Sequence, residues 1–320
     1  MPATPRPLPR RLGIIDVGTN SAHLVIGRLR PDGTFRVLRR ERALTRLGDG
    51  GLVTGRLTAP AQRRVMAVLA RHAALLRRFR VEEVDAVATS AVREAANGRA
   101  FVRRVRARLR LPLRILSGRE EARLIGLGVA QARRARQAAL ILAIGGGSAQ
   151  VIQGRGRRPG YVASVPLGCA RLSQRFIRHD PPGPEEVRAL ARHVRRVWAP
   201  AARAVRRRRW HRALGSSAMI HQVMRAAASL RRHRAGNAGR DLTVTQPALR
   251  RLVERLAAST ASERRRLAGL DPRRQDLALP TAVTLLAWMD ACGIRTLHGA
   301  RGSLREGVAA QRCARVWGRR

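Results

Sequence analysis

A strand, a tight turn and a returning strand occur twice in this chain, and that repetition constrains the fold more than any other feature. The first occurrence is RLGIIDVGTNSAHLVIGRL: an apolar run, a D-x-G-T-N-S turn, then alternation through His23-Leu24-Val25-Ile26. The second, ALILAIGGGSAQVIQGR, has the same outline, with Gly145, Gly146, Gly147 and Ser148 at the turn. Asp16 and Ala143 hold equivalent positions 127 residues apart, so two related α/β halves are expected. At 320 residues the chain is long enough for a core in each.

Between the hairpins, LTAPAQRRVMAVLARHAALLRRF is helical by period, VDAVATS is a strand, and AVREAANG is a short helix that Asn97 and Gly98 end. LRILSGREEARLIGLGV follows as strand and helix. After the second hairpin, SVPLGCARLSQRF enters a helix, DPPGPEEVRALARHVRRVW starts another after its prolines, and WHRALGSSAMIHQVM gives strand, turn and helix. The last third, from LTVTQPALRRLVERL to GSLREGVAAQRCARV, is mostly helical. These segments predict a flexible tail over 1–10, one domain over 11–124, a second with added helices over 125–314, and a basic tail over 315–320. The run Arg206 to Arg209 and the segment RRHRAGNAGR read as exposed basic faces.

Composition bears on the partner more than on the fold. The 66 basic residues are all Arg, against 20 acidic ones, for a net charge of +46. Arg in place of Lys fits the coding bias of a GC-rich genome. That bias does not explain the shortage of acid, so a real excess of positive surface remains and favours a polyanionic partner. Nucleic acid is one such partner, yet four Trp, one Tyr and four Phe give few stacking platforms. With no helix-turn-helix, zinc or RNA-recognition signature, nucleic acid is expected to bind only non-specifically. No window reaches about 18 uncharged apolar residues, so no membrane helix is expected. The opening MPATPRPLPR lacks the apolar segment of a secretory signal. Cys169, Cys292 and Cys313 are too few for a disulfide framework and lack zinc spacing, which points to the reducing cytoplasm.

So few carboxylates can be weighed one by one. Glu82, Glu83 and Asp85 lead into a strand, and Glu185 and Glu186 occupy a first helical turn where the helix dipole favours negative charge. Asp16 differs, because it ends an apolar strand and opens a turn of Gly18, Thr19, Asn20 and Ser21. A glycine there lets the backbone approach a ligand, and the amides and hydroxyls that follow can cradle phosphate oxygens beside a cation on the carboxylate. An ordinary Asp-x-Gly hairpin turn explains one such loop equally well. Its return at Gly145 to Ser148 favours two loops facing each other across a phosphate. In LSGREEARL, Ser117 and Glu120 form a capping box, which leaves Glu121 as a base that activates water. Arg93, in the first turn of a helix after Thr89-Ser90, joins a guanidinium fork to helix N-terminal amides, an oxyanion site.

Together these segments resemble the exopolyphosphatase/guanosine pentaphosphatase (Ppx/GppA) family, within the acetate kinase, sugar kinase, chaperone and actin superfamily. The resemblance runs from about Gly13 to Val308 and is carried by GIIDVGTNSAHLVIGR, RLGDGG, ATSAVREAANG, ILSGREEARLIGLGV, AIGGGSAQVI, SVPLGCARL, ALGSSAM and GSLREGV. TSAVREAANG followed by SGREEARLI is the specific part. The resemblance implies two related actin-like ATPase (ribonuclease H-like) domains with an interdomain cleft and a helical C-terminal third. It also implies a hydrolase assisted by Mg²⁺, with Mn²⁺ as the alternative. Such an enzyme releases terminal phosphate from inorganic polyphosphate, or the 5′ γ-phosphate from guanosine pentaphosphate. By the resemblance, Asp16 and Glu121 face the metal, and Glu121 orients the attacking water. Gly18, Thr19, Asn20 and Ser21 form the first phosphate loop, Gly145, Gly146, Gly147 and Ser148 the second, and Arg93 grips the phosphate under attack. A homodimer is common among such proteins, and the helical appendage of longer members is expected to be absent or reduced.

The second loop departs from the pattern. Where the family reads D-I-G-G-G-S-T-E, this chain has Ala143 and Gln150 at the two acidic positions. Magnesium often needs only one or two protein carboxylates plus substrate oxygens and waters, so Asp16 and Glu121 can support a weakened site. The other outcome is a binder of polyphosphate or guanosine pentaphosphate without turnover. ALGSSAM also departs, at Ala218, from a glycine-containing turn.

Overall fold

A computed structural model describes residues 11–30, 35–133, 137–230 and 242–316. The expected tail over 1–10, the segment RRHRAGNAGR and the last four residues of the basic tail lie outside the described residues. The chain enters through β1 (Leu12–Val17), whose six residues are all buried, and turns back through β2 (Ser21–Leu29) to β3 (Phe35–Leu44), both pairings antiparallel. A helical turn α1 (Gly51–Thr54) and the long α2 (Ala59–Arg78) lead to β4 (Glu83–Ala88), parallel to β1. Then α3 (Ser90–Glu94) and α4 (Gly98–Leu109) precede β5 (Leu113–Ile115), parallel to β4. The strand order is β3-β2-β1-β4-β5. Arginines crowd the outer strand β3, where charge discourages pairing with another edge.

Helix α5 (Gly118–Arg133) carries the chain into a second sheet that repeats this plan. Its elements are β6 (Ala138–Ile144), β7 (Ala149–Arg155), β8 (Arg158–Val165), α6 (Cys169–Phe176), α7 (Pro184–Arg206), β9 (Arg212–Gly215), α8 (Ala218–Ser229) and β10 (Thr243–Thr245). They are followed by α9 (Gln246–Ala257), α10 (Ala261–Arg266), a 3-10 turn over Pro272–Leu277, α11 (Ala278–Cys292), β11 (Thr296–Gly299) and α12 (Leu304–Val316). The order β8-β7-β6-β9-β11-β10 matches the first sheet strand for strand and adds β10 at the edge. This is an α/β protein with two mixed sheets, the second repeating the plan of the first. No helix among the described residues is long and apolar enough to cross a membrane.

Three apolar clusters hold the structure. One packs the first sheet on α2 and α4 around Phe101, and the largest packs the second sheet on α7 and α11 around Trp198 and Trp288. Helix α11 is buried almost all round, as its nearly continuous apolar sequence requires, and ends at Gly293 in the left-handed conformation. The third cluster is shared: Leu12, Ile14 and Val87 from the first sheet meet Ile141, Ala143, Ile152 and Leu214 from the second through α5 and α12. The point between residues 124 and 125, where the sequence suggests a division, falls inside α5.

Several local expectations change. Asn97 and Gly98 do not end the short helix, which stops at Glu94; they start α4, and a Cβ on Gly98 would stand 1.9 Å from the Val92 carbonyl oxygen. Two strands, β10 and β11, interrupt the last third and complete the second sheet. Only half of the capping box forms: the Glu120 amide donates to Ser117 Oγ at 3.1 Å, while the Glu120 carboxylate accepts from Arg114 at 2.6 Å. The Thr89 hydroxyl makes no capping bond to α3.

Candidate active site

The two hairpin turns face each other across a cleft of about 200 Å³. Each turn closes the same way, with Gly18 N–H donating to the Ser21 carbonyl at 3.0 Å and Gly145 N–H to that of Ser148 at 2.9 Å. Other segments then tie the loop carbonyls outward. Thr45 and Arg46 amides donate to the Asn20 carbonyl and Gly48 to that of Thr19, which gives RLGDGG its place in the fold. Cys169 donates to the Gly145 carbonyl, Ala170 and Arg171 amides to that of Gly146, and Arg171 Nε to that of Gly147 at 2.8 Å. Because a trans peptide sets its N–H opposite its C=O, the amide that follows each of these carbonyls points away from the bond that the carbonyl accepts. The loops approach closely: a Cβ on Gly147 would lie 2.4 Å from Ser90 Oγ and 2.8 Å from Thr19 Oγ1. Only glycine permits this contact.

Asp16 and Glu121 are the acidic groups lining the cleft, both largely buried. Asp16 Oδ2 accepts from Arg305 Nη1 at 3.0 Å; burial raises its pKa, with Arg305 opposing. Glu121 Oε2 accepts from Arg93 Nη1 at 2.8 Å. Burial pushes the Glu121 carboxyl up to about 7 against the pull of Arg93. That value suits a base working near neutrality. Arg93 also donates to the Leu116 carbonyl at 3.1 Å. Its guanidinium therefore fixes the Glu121 carboxylate.

The residues of the two loops, Asp16 and Glu121 all line the cleft. Ala143 and Gln150 line it too, and they are cross-strand partners in the β6–β7 register. Gln150 Nε2 donates to Ser148 Oγ at 2.7 Å, so the amide fixes a loop hydroxyl. Sequence reasoning missed three contributors: His23, Arg274 and Arg305. Burial, reinforced by Arg305, Arg42 and Arg274, pushes His23 down to about 2, so it is neutral. Arg274 is 5% exposed, donates from Nη2 to Ser21 Oγ at 2.5 Å, and has no partner at Nε among the described residues. Burial lowers it to about 10, still well above neutrality. Among 66 arginines nothing in its type marks it out, whereas Arg305 sits in GSLREGV, a segment whose position was already informative.

A duplicated α/β chain whose hairpin turns offer glycine-spaced amides, two buried carboxylates and fixed guanidinium groups has the makings of a phosphate-handling protein. The chain matches the Ppx/GppA phosphatase family over residues 25–315 and belongs to it. It is 33% identical over 311 residues to an uncharacterized protein of Streptomyces coelicolor, covering 93% of this chain and 89% of that one. A Haemophilus influenzae protein assigned as an exopolyphosphatase is 28% identical over 299 residues, covering 93% of this chain and 90% of that one. The crystal structure of an exopolyphosphatase from Cytophaga hutchinsonii superimposes with a TM-score of 0.84 at 28% identity, over 96% of this chain and 98% of that one.

The Mg²⁺ that the family resemblance implies does not fit the donor set as arranged. Asp16 is ion-paired with Arg305 and Glu121 with Arg93, and Ala143 supplies no third acid. Among the described residues no three His, Cys, Asp or Glu side chains converge as metal ligands.

Proposed function

We propose that this chain is a phosphohydrolase that releases the terminal phosphate of inorganic polyphosphate by attack of water. The observation that carries the reading is Glu121: a buried carboxyl with a pKa near 7, at the cleft between two phosphate loops. Its carboxylate takes a proton from water, the oxygen attacks the terminal phosphorus, and the P–O bond to the chain breaks. Inorganic phosphate leaves, with a chain one unit shorter. Loop amides, the Ser148 and Thr19 hydroxyls, Arg274 and Arg305 offset the charge on the phosphoryl oxygens, as phosphoryl transfer requires. Arg93 fixes the base. The exopolyphosphatase names of the Haemophilus influenzae and Cytophaga hutchinsonii proteins support polyphosphate as the substrate. The net charge of +46 suits retention of a long polyanion, with affinity falling as salt rises. The reading includes a cytoplasmic setting, domains over 11–124 and 125–314, and only non-specific binding of nucleic acid.

Guanosine pentaphosphate ends in the same phosphoanhydride and is the alternative substrate. A second reading, a polyphosphate binder without turnover, is favoured by Ala143 and Gln150. Phosphate release from polyphosphate and from guanosine pentaphosphate, each with Mg²⁺, Mn²⁺ or EDTA, separates these readings. Release from polyphosphate is expected; tight binding with no release under any condition leaves the binder.

A further inference from the structure

We propose that the Arg305 guanidinium is the resident cation of this cleft and takes the place of a divalent metal, so that a phosphate chain binds without one. The inference rests on reading the cleft as a phosphate-chain site. Arg305 occupies the carboxylate a metal would need, donating from Nη1 to Asp16 Oδ2 at 3.0 Å. Guanidinium has five N–H donors in one plane, and Asp16 takes one. The others make no hydrogen bond among the described residues and can meet phosphate oxygens, to which arginine is matched in geometry as well as charge.

Three further observations support the assignment. The position equivalent to Asp16 in the second hairpin is Ala143, so no carboxylate balances a second positive charge from across the cleft. A dication beside Asp16 would meet the Arg305 guanidinium already paired with that carboxylate, in a cleft that Arg274 also lines. Arg305 is also not a loose surface side chain. It is the second residue of α12, which meets α5 backbone to backbone: a Cβ on Gly128 would lie 2.2 Å from the Ser303 carbonyl oxygen, and one on Gly307 1.8 Å from that of Leu124. That contact locks the start of α12 onto the helix that bears Glu121.

The test has two arms on the full chain. Calorimetry with the bis(methylene) triphosphonate analogue of tripolyphosphate is run in EDTA and in Mg²⁺, and Mn²⁺ uptake by the protein alone is followed by electron paramagnetic resonance. The wild type is expected to bind the analogue in EDTA and leave the Mn²⁺ signal unchanged. Arg305→Gln is expected to weaken binding in EDTA about tenfold or more. The pair Arg305→Gln with Ala143→Asp is expected to take up Mn²⁺ and regain binding with the metal; failure of a folded double variant to do so overturns the assignment. Should either variant not fold, the wild-type arms decide. Stoichiometric Mn²⁺ uptake by the wild type, or analogue binding only with metal, overturns the role of Arg305 and leaves the polyphosphate reading standing. No binding with or without metal removes both.

Discussion

At the turn of the β1–β2 hairpin the cross-strand partners are Asp16 and His23; in β6–β7 the equivalent partners are Ala143 and Gln150. The next pair inward also corresponds, Val17 with Ala22 and Ile144 with Ala149, and the closing glycine bonds differ by 0.1 Å, at 3.0 and 2.9 Å. His23, pushed down to about 2, and Gln150 are both neutral polar groups. The hairpins therefore differ in charge at one position, Asp16 against Ala143. The turn backbone forms with or without the acid, because glycine and the bonds to its carbonyls make it. Both carboxylates of the cleft, Asp16 and Glu121, come from the first half, while the second half brings Arg274, Arg305 and the turn from Gly145 to Ser148.

The comparison can be broken most severely at Glu121. Glu121→Gln should lower phosphate release from polyphosphate by roughly 10²–10⁴-fold, the range for a general base. A loss of less than about tenfold would mean that the first half does not carry the charged step. Gly147→Ala tests the opposite contribution. Its methyl meets Ser90 and Thr19, so the loops must part, and turnover should fall roughly 10²-fold, as for a displacement near 1 Å. Unchanged steady-state kinetics would show that the loops do not act as a clamp.

The pH profile sharpens the same contrast. Glu121 is raised to about 7, so its base form appears as pH rises through that value. Below it, kcat/KM should climb about tenfold per unit and then level off, and Glu121→Gln should lose the climb. Thermal melts carry the opposite slope. The folded chain keeps this proton between the ordinary value of 4.5 and about 7, so the stability from this group falls as pH rises across that window. The smallest effect is the most symmetrical. A Cβ on Gly18 would lie 3.1 Å from the Ser21 carbonyl oxygen, and one on Gly145 3.3 Å from that of Ser148. Gly18→Ala and Gly145→Ala should each weaken polyphosphate affinity by a similar few-fold; a tenfold difference between them would end the equivalence of the loops.

The two hairpins and their glycine turns were legible because strand alternation and turn glycines are local signals that recur at a fixed spacing. The place of Glu121 beside Glu120 at the start of one helix was legible, although the capping bond argued for Glu120 is only half made. What stayed hidden depends on contacts distant in sequence. Gly98 reads as a helix stop but is needed where α4 passes the Val92 carbonyl. The pairing of Arg93 with Glu121 was not legible, since the two lie on different helices. Arg274 and Arg305 become distinct from other arginines only when the fold buries one and pairs the other with Asp16. β10 and β11, of three and four residues, are too short for periodicity to register.

The shared apolar cluster gives the loss of the second acid a direction. Ala143 is 4% exposed and belongs to the same cluster as Ile141, Ile152 and Leu304, between the sheets. A carboxylate returned there would be buried where this hydrocarbon meets the cleft wall, and a buried charge without a partner is strongly unfavourable. Packing thus acts as a ratchet: once the methyl group has been taken into the core, reversal at Ala143 alone is selected against on stability before any gain in chemistry is felt. A route back to an acidic loop would require the compensating cation to arrive first.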